Sequence, residues 1–142
     1  MKAVGDILRK HDGTLWQVPP DITVYAAVEQ LAHYGVGALL VMDGDRLVGV
    51  FSERDYTRKI TLQGRNSKET LVADIMTADV FTVCATTRTR DCMALMSAKK
   101  IRHLPVLDGD RVLGMISIRD LMDDIIADHE STIATLHSYI HS

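Results

Sequence analysis

Residues 37–56 read GALLVMDGDRLVGVFSERDY, and residues 102–121 read RHLPVLDGDRVLGMISIRDL. Set at an offset of 65, ten of the twenty positions are identical: Leu39/Leu104, Val41/Val106, Asp43/Asp108, Gly44/Gly109, Asp45/Asp110, Arg46/Arg111, Gly49/Gly114, Ser52/Ser117, Arg54/Arg119 and Asp55/Asp120. Most other positions exchange one apolar residue for another. Self-similarity at a fixed offset marks a repeated structural unit. A weaker echo lies upstream, where VGDIL at 4–8 resembles VADIM at 72–76. The chain is therefore read as two copies of one unit of about 60 residues.

Each copy has the same order of elements. TLWQV at 14–18 reads as a short strand stopped by Pro19 and Pro20. Asp21 or Thr23 can cap a helix whose apolar residues Val24, Ala27, Val28 and Leu31 follow i, i+3, i+4, i+7. Gly35 suits the left-handed residue that ends it. Residues 38–42 and 47–51 are apolar strands around Asp43-Gly44-Asp45, a hairpin signal because such a turn needs positive φ. A second helix is expected over 53–63, ended by Gly64. The second copy predicts strands at 80–83, 104–107 and 112–116 and helices at 87–100 and from 118 onward. Pro105, in place of Leu40, fits an edge or bulge. The order is β-α-β-β-α, twice, an α/β fold. The expected division is 4–64 for the first repeat, 65–71 for a polar linker, 72–127 for the second repeat and 128–142 for a helical tail.

Composition limits the function. The chain has 142 residues, 46% of them apolar, so it can form a core and is not disordered. Sixteen Lys and Arg stand against 19 Asp and Glu, for a net charge of −3. That argues against a general nucleic-acid binder. No apolar run is long enough for a membrane helix, and the start carries no secretory pattern. A cytoplasmic protein with Cys84 and Cys92 reduced is expected. Cys92, Met93 and Met96 are read as core, Lys99-Lys100 and Arg58-Lys59 as solvated helix surface. His129, His137 and His141 share no metal-binding spacing, although His137 and His141 lie one helical turn apart. No metal is expected.

The chemistry concentrates in Ser52-Glu-Arg54-Asp55 and its twin Ser117-Ile-Arg119-Asp120, where a strand gives way to a helix. One reading is structural: Ser followed three residues later by an acid resembles a capping box, with Asp for the usual Glu or Gln. The other is a ligand site. A helix N-terminus offers free N–H groups to a phosphate. Arg54 and Arg119 sit in the first turn, where a cation is unfavourable unless it faces an anion. The Asp carboxylate can accept from both hydroxyls of a ribose. Both readings stand on the sequence alone.

The repeated unit, the doubled G-h-h-S-x-R-D ending and the Asp-Ile-Met-Thr77 lead-in resemble a tandem pair of CBS domains, a family named after cystathionine β-synthase. The resemblance covers about residues 4–124. It implies a Bateman module: two repeats packed sheet to sheet about a pseudo-two-fold axis, with up to two clefts for adenosyl ligands such as AMP, ADP, ATP, NAD or S-adenosylmethionine. It also implies pairing into a flat homodimer. By this resemblance, the first cleft uses Ser52 and Asp55 for phosphate and ribose. Ile101, Arg102 and His103 lie opposite, and Thr77, Val80 and Phe81 line the base. The second uses Ser117 and Asp120, with Val36, Gly37 and Ala38 opposite and Trp16 near the base. Arg102 and His103 align with Gly37 and Ala38. The first cleft is thus expected to hold a phosphate more tightly, and the Gly37 cleft to be roomier and less charged.

The function expected is an adenosyl-ligand sensor acting on a separate, unidentified protein. The alternative is an interaction or dimerisation module that keeps Ser-x-Arg-Asp only for capping. No Walker-type phosphate loop appears, and His103, the one base near a candidate nucleophile, has no orienting partner in the sequence. No catalytic residue and no catalytic cofactor are expected.

Overall fold

The computed structural model describes residues 2–141. The first repeat contains β1 (Gln17–Val18), α2 (Val24–Tyr34), β2 (Ala38–Asp43), β3 (Arg46–Ser52) and α3 (Glu53–Tyr56), after a lead-in helix α1 (Val4–Leu8). The second contains α5 (Thr89–Lys99), β4 (His103–Asp108), β5 (Arg111–Ser117) and α6 (Ile118–His141), after its own lead-in helix α4 (Val72–Ile75). β1 runs parallel to β2, and β2 and β3 are antiparallel. β4 and β5 form the matching hairpin. Both hairpins turn on a glycine with positive φ, 62° at Gly44 and 60° at Gly109. Both carry a register shift at the same place, after Val41 and after Val106.

The continuous apolar run of β2 follows from burial on both faces. Leu39 and Val41 point into the core of their own repeat with Val24, Ala27, Leu31 and Phe51. Ala38, Leu40 and Met42 point the other way and meet Val50, Val112 and Met115. That second cluster joins the two sheets. The second repeat has its own core of Cys92, Met96, Leu104, Val106, Ile116 and Leu121. Burial there pushes the Cys92 thiol up to about 11, so it behaves as a core residue.

The lead-in helices are exchanged. Val4 and Ile7 of α1 lie in the core of the second repeat, while Val72 and Ile75 of α4 lie in the core of the first. The amides of Val4 and Gly5 donate to the carbonyls of Thr87 and Ala85. The Lys2 ammonium stands 2.9 Å from the buried Asp124 carboxylate of α6, and that pairing raises the lysine pKa. Neither repeat is complete without a segment that precedes the other in sequence.

Four expected elements differ. The strand at 14–18 is reduced to Gln17–Val18. The strand at 80–83 is only an isolated bridge between Val83 and Val106. In the first repeat the Leu40 amide donates to the Trp16 carbonyl at 3.0 Å; Pro105, at the equivalent position, has no amide proton to give. The helix expected over 53–63 is four α-helical residues followed by a π-helical turn, Thr57–Thr61. The helix expected over 87–100 is two residues shorter at its start. At the C-terminus, α6 continues without a break to His141. The side chain of His141 lies outside the described residues, and no metal-holding cluster occurs among those described.

Candidate functional site

Both Ser-x-Arg-Asp segments form capping boxes. In the first, the Ser52 amide and hydroxyl donate to Asp55 Oδ2 at 3.0 and 3.1 Å, and the Asp55 amide donates to Ser52 Oγ at 3.2 Å. In the second, the Ser117 amide and hydroxyl donate to Asp120 Oδ2 at 2.8 and 3.1 Å, and the Asp120 amide returns a bond to Ser117 Oγ at 3.2 Å. The first helical amides, of Glu53 and Ile118, donate to the carbonyls of Gly37 and Arg102. Each helix start is thus largely satisfied from within.

The two acids differ in their remaining oxygen. Asp55 Oδ1 accepts from the Thr77 hydroxyl at 3.0 Å and faces the Lys59 ammonium at 3.1 Å. Thr77 is pinned there by a pair of 2.9 Å backbone bonds to Val50. The approach of Met76 and Thr77 requires Gly49, whose missing Cβ would stand 2.7 Å from Met76 Sδ and 2.9 Å from the Thr77 carbonyl. Lys59 also donates to the Ile75 carbonyl at 2.9 Å. The Asp55 side chain is 9% exposed. Asp120 Oδ1 faces only the imidazole of His11, at 3.2 Å, and its side chain is 25% exposed.

The arginines differ in the same sense. Arg54 donates across the seam to the Lys100 carbonyl at the end of α5. Arg102 and Arg119 are exposed and make no ion pair among the described residues. His103 is half-buried, and burial lowers its pKa below the ordinary 6.5; Asp120 opposes that shift and Arg102 adds to it. The imidazole is therefore neutral near pH 7 and brings a hydrogen bond rather than a charge. It also lies against Gly37, whose absent Cβ would stand 3.4 Å from His103 Cε1. The space expected beside Gly37 is filled by His103. The charge-based ranking of the two halves does not follow from this geometry, because the first acid's remaining oxygen is held by both a hydroxyl and an ammonium, whereas the second's meets one imidazole and its side chain is the more exposed.

All sixteen residues named from the sequence line one continuous cleft of about 1070 Å³ between the repeats. Its wall carries seven Lys and Arg against four carboxylates, in a chain whose net charge is −3. Arg58, Lys59, Lys99 and Lys100, read from the sequence as solvated helix surface that could still feel a ligand's phosphates, belong to this wall. Lys99 is drawn there by the Phe81 ring, 5.0 Å from its ammonium. Sequence reasoning also missed His11. It lies outside the repeated motif, and only the exchanged position of the N-terminal segment brings it to Asp120.

Comparison with known proteins agrees with this architecture. The CBS domain model matches residues 4–61 and 72–127. The mitochondrial CBS domain-containing protein CBSX3 of Arabidopsis thaliana is 39% identical over 145 residues, covering 99% of this chain and 69% of that protein. A solved protein with CBS domains from Burkholderia ambifaria is 47% identical, covers 89% of this chain and 96% of its own, and superposes with a TM-score of 0.86. The CBS domain protein PAE2072 from Pyrobaculum aerophilum, solved in complex with AMP, shares the fold at 24% identity and a TM-score of 0.74, over 83% of this chain and 88% of its own. The chain belongs to the CBS domain family, as a tandem pair of two repeats.

Proposed function

We propose that the chain is a regulatory module that binds an adenine nucleotide (AMP, ADP, ATP or NAD) in the cleft between its repeats and acts on a partner protein. The observation that carries this reading is the concentration of seven cationic side chains around one cleft of nucleotide size in an acidic chain. The AMP complex of PAE2072 supports the ligand class. The more open Asp120 half is the better place for the ribose hydroxyls, with the unpaired Arg102 and Arg119 near for the phosphate. In the Asp55 half the remaining carboxylate oxygen is already held by Thr77 and Lys59.

The reading is non-catalytic. The Ser52 and Ser117 hydroxyls each donate to an Asp in a capping box, a bond that the helix start itself accounts for. No helix among the described residues is long and apolar enough to cross a membrane, and the chain is read as cytoplasmic. Met122, Ile126, Ile133, Leu136 and Ile140 are half or more exposed along α6. Their alternating spacing of three, four or seven suits pairing with the same helix of a second copy. A second reading, an interaction module without ligand, is favoured by the completeness of both capping boxes.

Thermal unfolding with AMP, ATP, NAD and S-adenosylmethionine separates the two. A ligand at about 100 times its Kd adds about 2.7 kcal/mol to stability. A rise in Tm with any adenine nucleotide supports the sensor; no rise with any of them supports the interaction module.

A further inference from the structure

His11 belongs to neither repeated motif, yet it reaches the one carboxylate oxygen that the Asp120 cap leaves over. Its Nε2 stands 3.2 Å from Asp120 Oδ1, while Asp120 Oδ2 is held by Ser117. The other ring nitrogen, Nδ1, is buried and has no hydrogen-bond partner among the described residues, so within the chain His11 occupies this position with one polar atom left over. The imidazole also packs on Trp16, ring centres 5.3 Å apart and planes tilted by 56°. Both rings line the cleft.

The backbone around His11 is irregular. His11 ends a single 3-10 turn, Arg9–His11, and is followed by two left-handed residues, Asp12 at φ 53° and Gly13 at φ 72°. A non-glycine residue there is strained. The partners of Asp55 are anchored from outside the cap: Thr77 by two backbone bonds to Val50 and Lys59 by the Ile75 carbonyl.

We propose that His11 is a displaceable occupant of the nucleotide site. It holds the carboxylate oxygen that nucleoside hydroxyls would take, leaves when they bind, and alters the surroundings of Trp16 as it goes. The inference rests on the nucleotide-binding reading above. Its consequence is that His11 competes in cis with the ligand and sets the affinity of the Asp120 half for a ligand carrying both ribose hydroxyls.

The test is calorimetric titration of AMP, and of 2′,3′-dideoxy-AMP, into the full chain, His11→Ala and His11→Gln. Removing the competitor should tighten AMP binding about tenfold or more, the worth of one charge-assisted hydrogen bond. His11→Gln, which keeps a donor, should stay near the unsubstituted chain, and the gain in His11→Ala should vanish with the dideoxy ligand. Trp16 is the only tryptophan, so the emission of the unsubstituted chain should change as AMP saturates it. Unchanged or weaker AMP binding by His11→Ala, or a gain that persists with dideoxy-AMP, overturns the role of His11 and leaves nucleotide binding standing. Saturable AMP binding with no change in Trp16 emission does the same, and needs no variant to fold. Absence of AMP binding in every form overturns the role of His11, and it overturns nucleotide binding as well where thermal unfolding shows no rise with ATP or NAD.

Discussion

Asp55 and Asp120 are one motif residue in two environments, and the environments decide their roles. Asp55 is buried and serves Ser52, Thr77 and Lys59 together. Its removal takes away the cap, the acceptor of the Thr77 hydroxyl and the counter-charge of Lys59 together, so Asp55→Ala should cost about 2 kcal/mol. Asp120→Ala loses mainly a cap, about 1 kcal/mol. Urea unfolding of the two variants checks the order; equal losses would contradict the asymmetry. His103 gives a second expectation. Its folded-state pKa is below 6.5, so the unfolded chain takes up its proton first as pH falls. Stability from this group is complete above about pH 6.5 and declines below it. The loss in urea midpoint between pH 7.5 and 5.5 should be smaller in His103→Gln than in the unsubstituted chain. These differences were invisible in the sequence, where both Asp residues sit in the same S-x-R-D. Identity of motif fixed the cap, and what reached the second oxygen depended on segments outside it.

Among the elements, the hairpins were the most legible and the edges the least. Alternation and Asp-Gly placed β2 with β3 and β4 with β5 because these cues are local. The missing strand at 80–83 depended on a partner: apolar residues were present, but Pro105 had no amide to offer. The helix after β3 changed to a π-helical turn at Thr57–Thr61, and the same turn contains Lys59, which reaches back to Asp55. No local pattern announces such a change. Gly49 and Gly114 look equivalent in the repeat and should not respond equally. A Cβ at Gly49 meets Met76 Sδ and backbone, whereas one at Gly114 meets chiefly the flexible end of Leu8, at 3.1 Å. Gly49→Ala should therefore cost about 1–3 kcal/mol by forcing the α4 end away from β3, whereas at Gly114, where φ is 158°, the backbone rather than crowding opposes a side chain. Thermal unfolding of Gly49→Ala checks this, and an unchanged Tm would contradict it.

The whole molecule is two repeats that complete one another. The sequence divides them near the polar stretch at 65–71, but the cores do not follow that division: α1 completes the second repeat and α4 the first. Ile7 is 2% exposed inside a core that, apart from α1 itself, is formed by residues 83–121. Ile7→Ala should therefore lose about 2–4 kcal/mol, and hydrogen exchange should show loosening in β4 and β5 rather than in β2 and β3. Loosening confined to the first repeat would contradict the exchange. The same crossing brings His11 and Thr77 to the acids, so the cleft is a property of the pair and not of either repeat. Its residues were legible because the motif was doubled; its single continuous volume and the engagement of Asp55 were not, because both arise from packing between segments far apart in the chain.

The most direct measurement is calorimetric titration of AMP into the unsubstituted chain and into Asp120→Asn, which keeps acceptors for the cap but removes the carboxylate charge. Saturable binding, weakened about tenfold or more in Asp120→Asn, is the expected result. No binding by the unsubstituted chain, or equal binding by both, would contradict a nucleotide site built on the open acid of the second repeat.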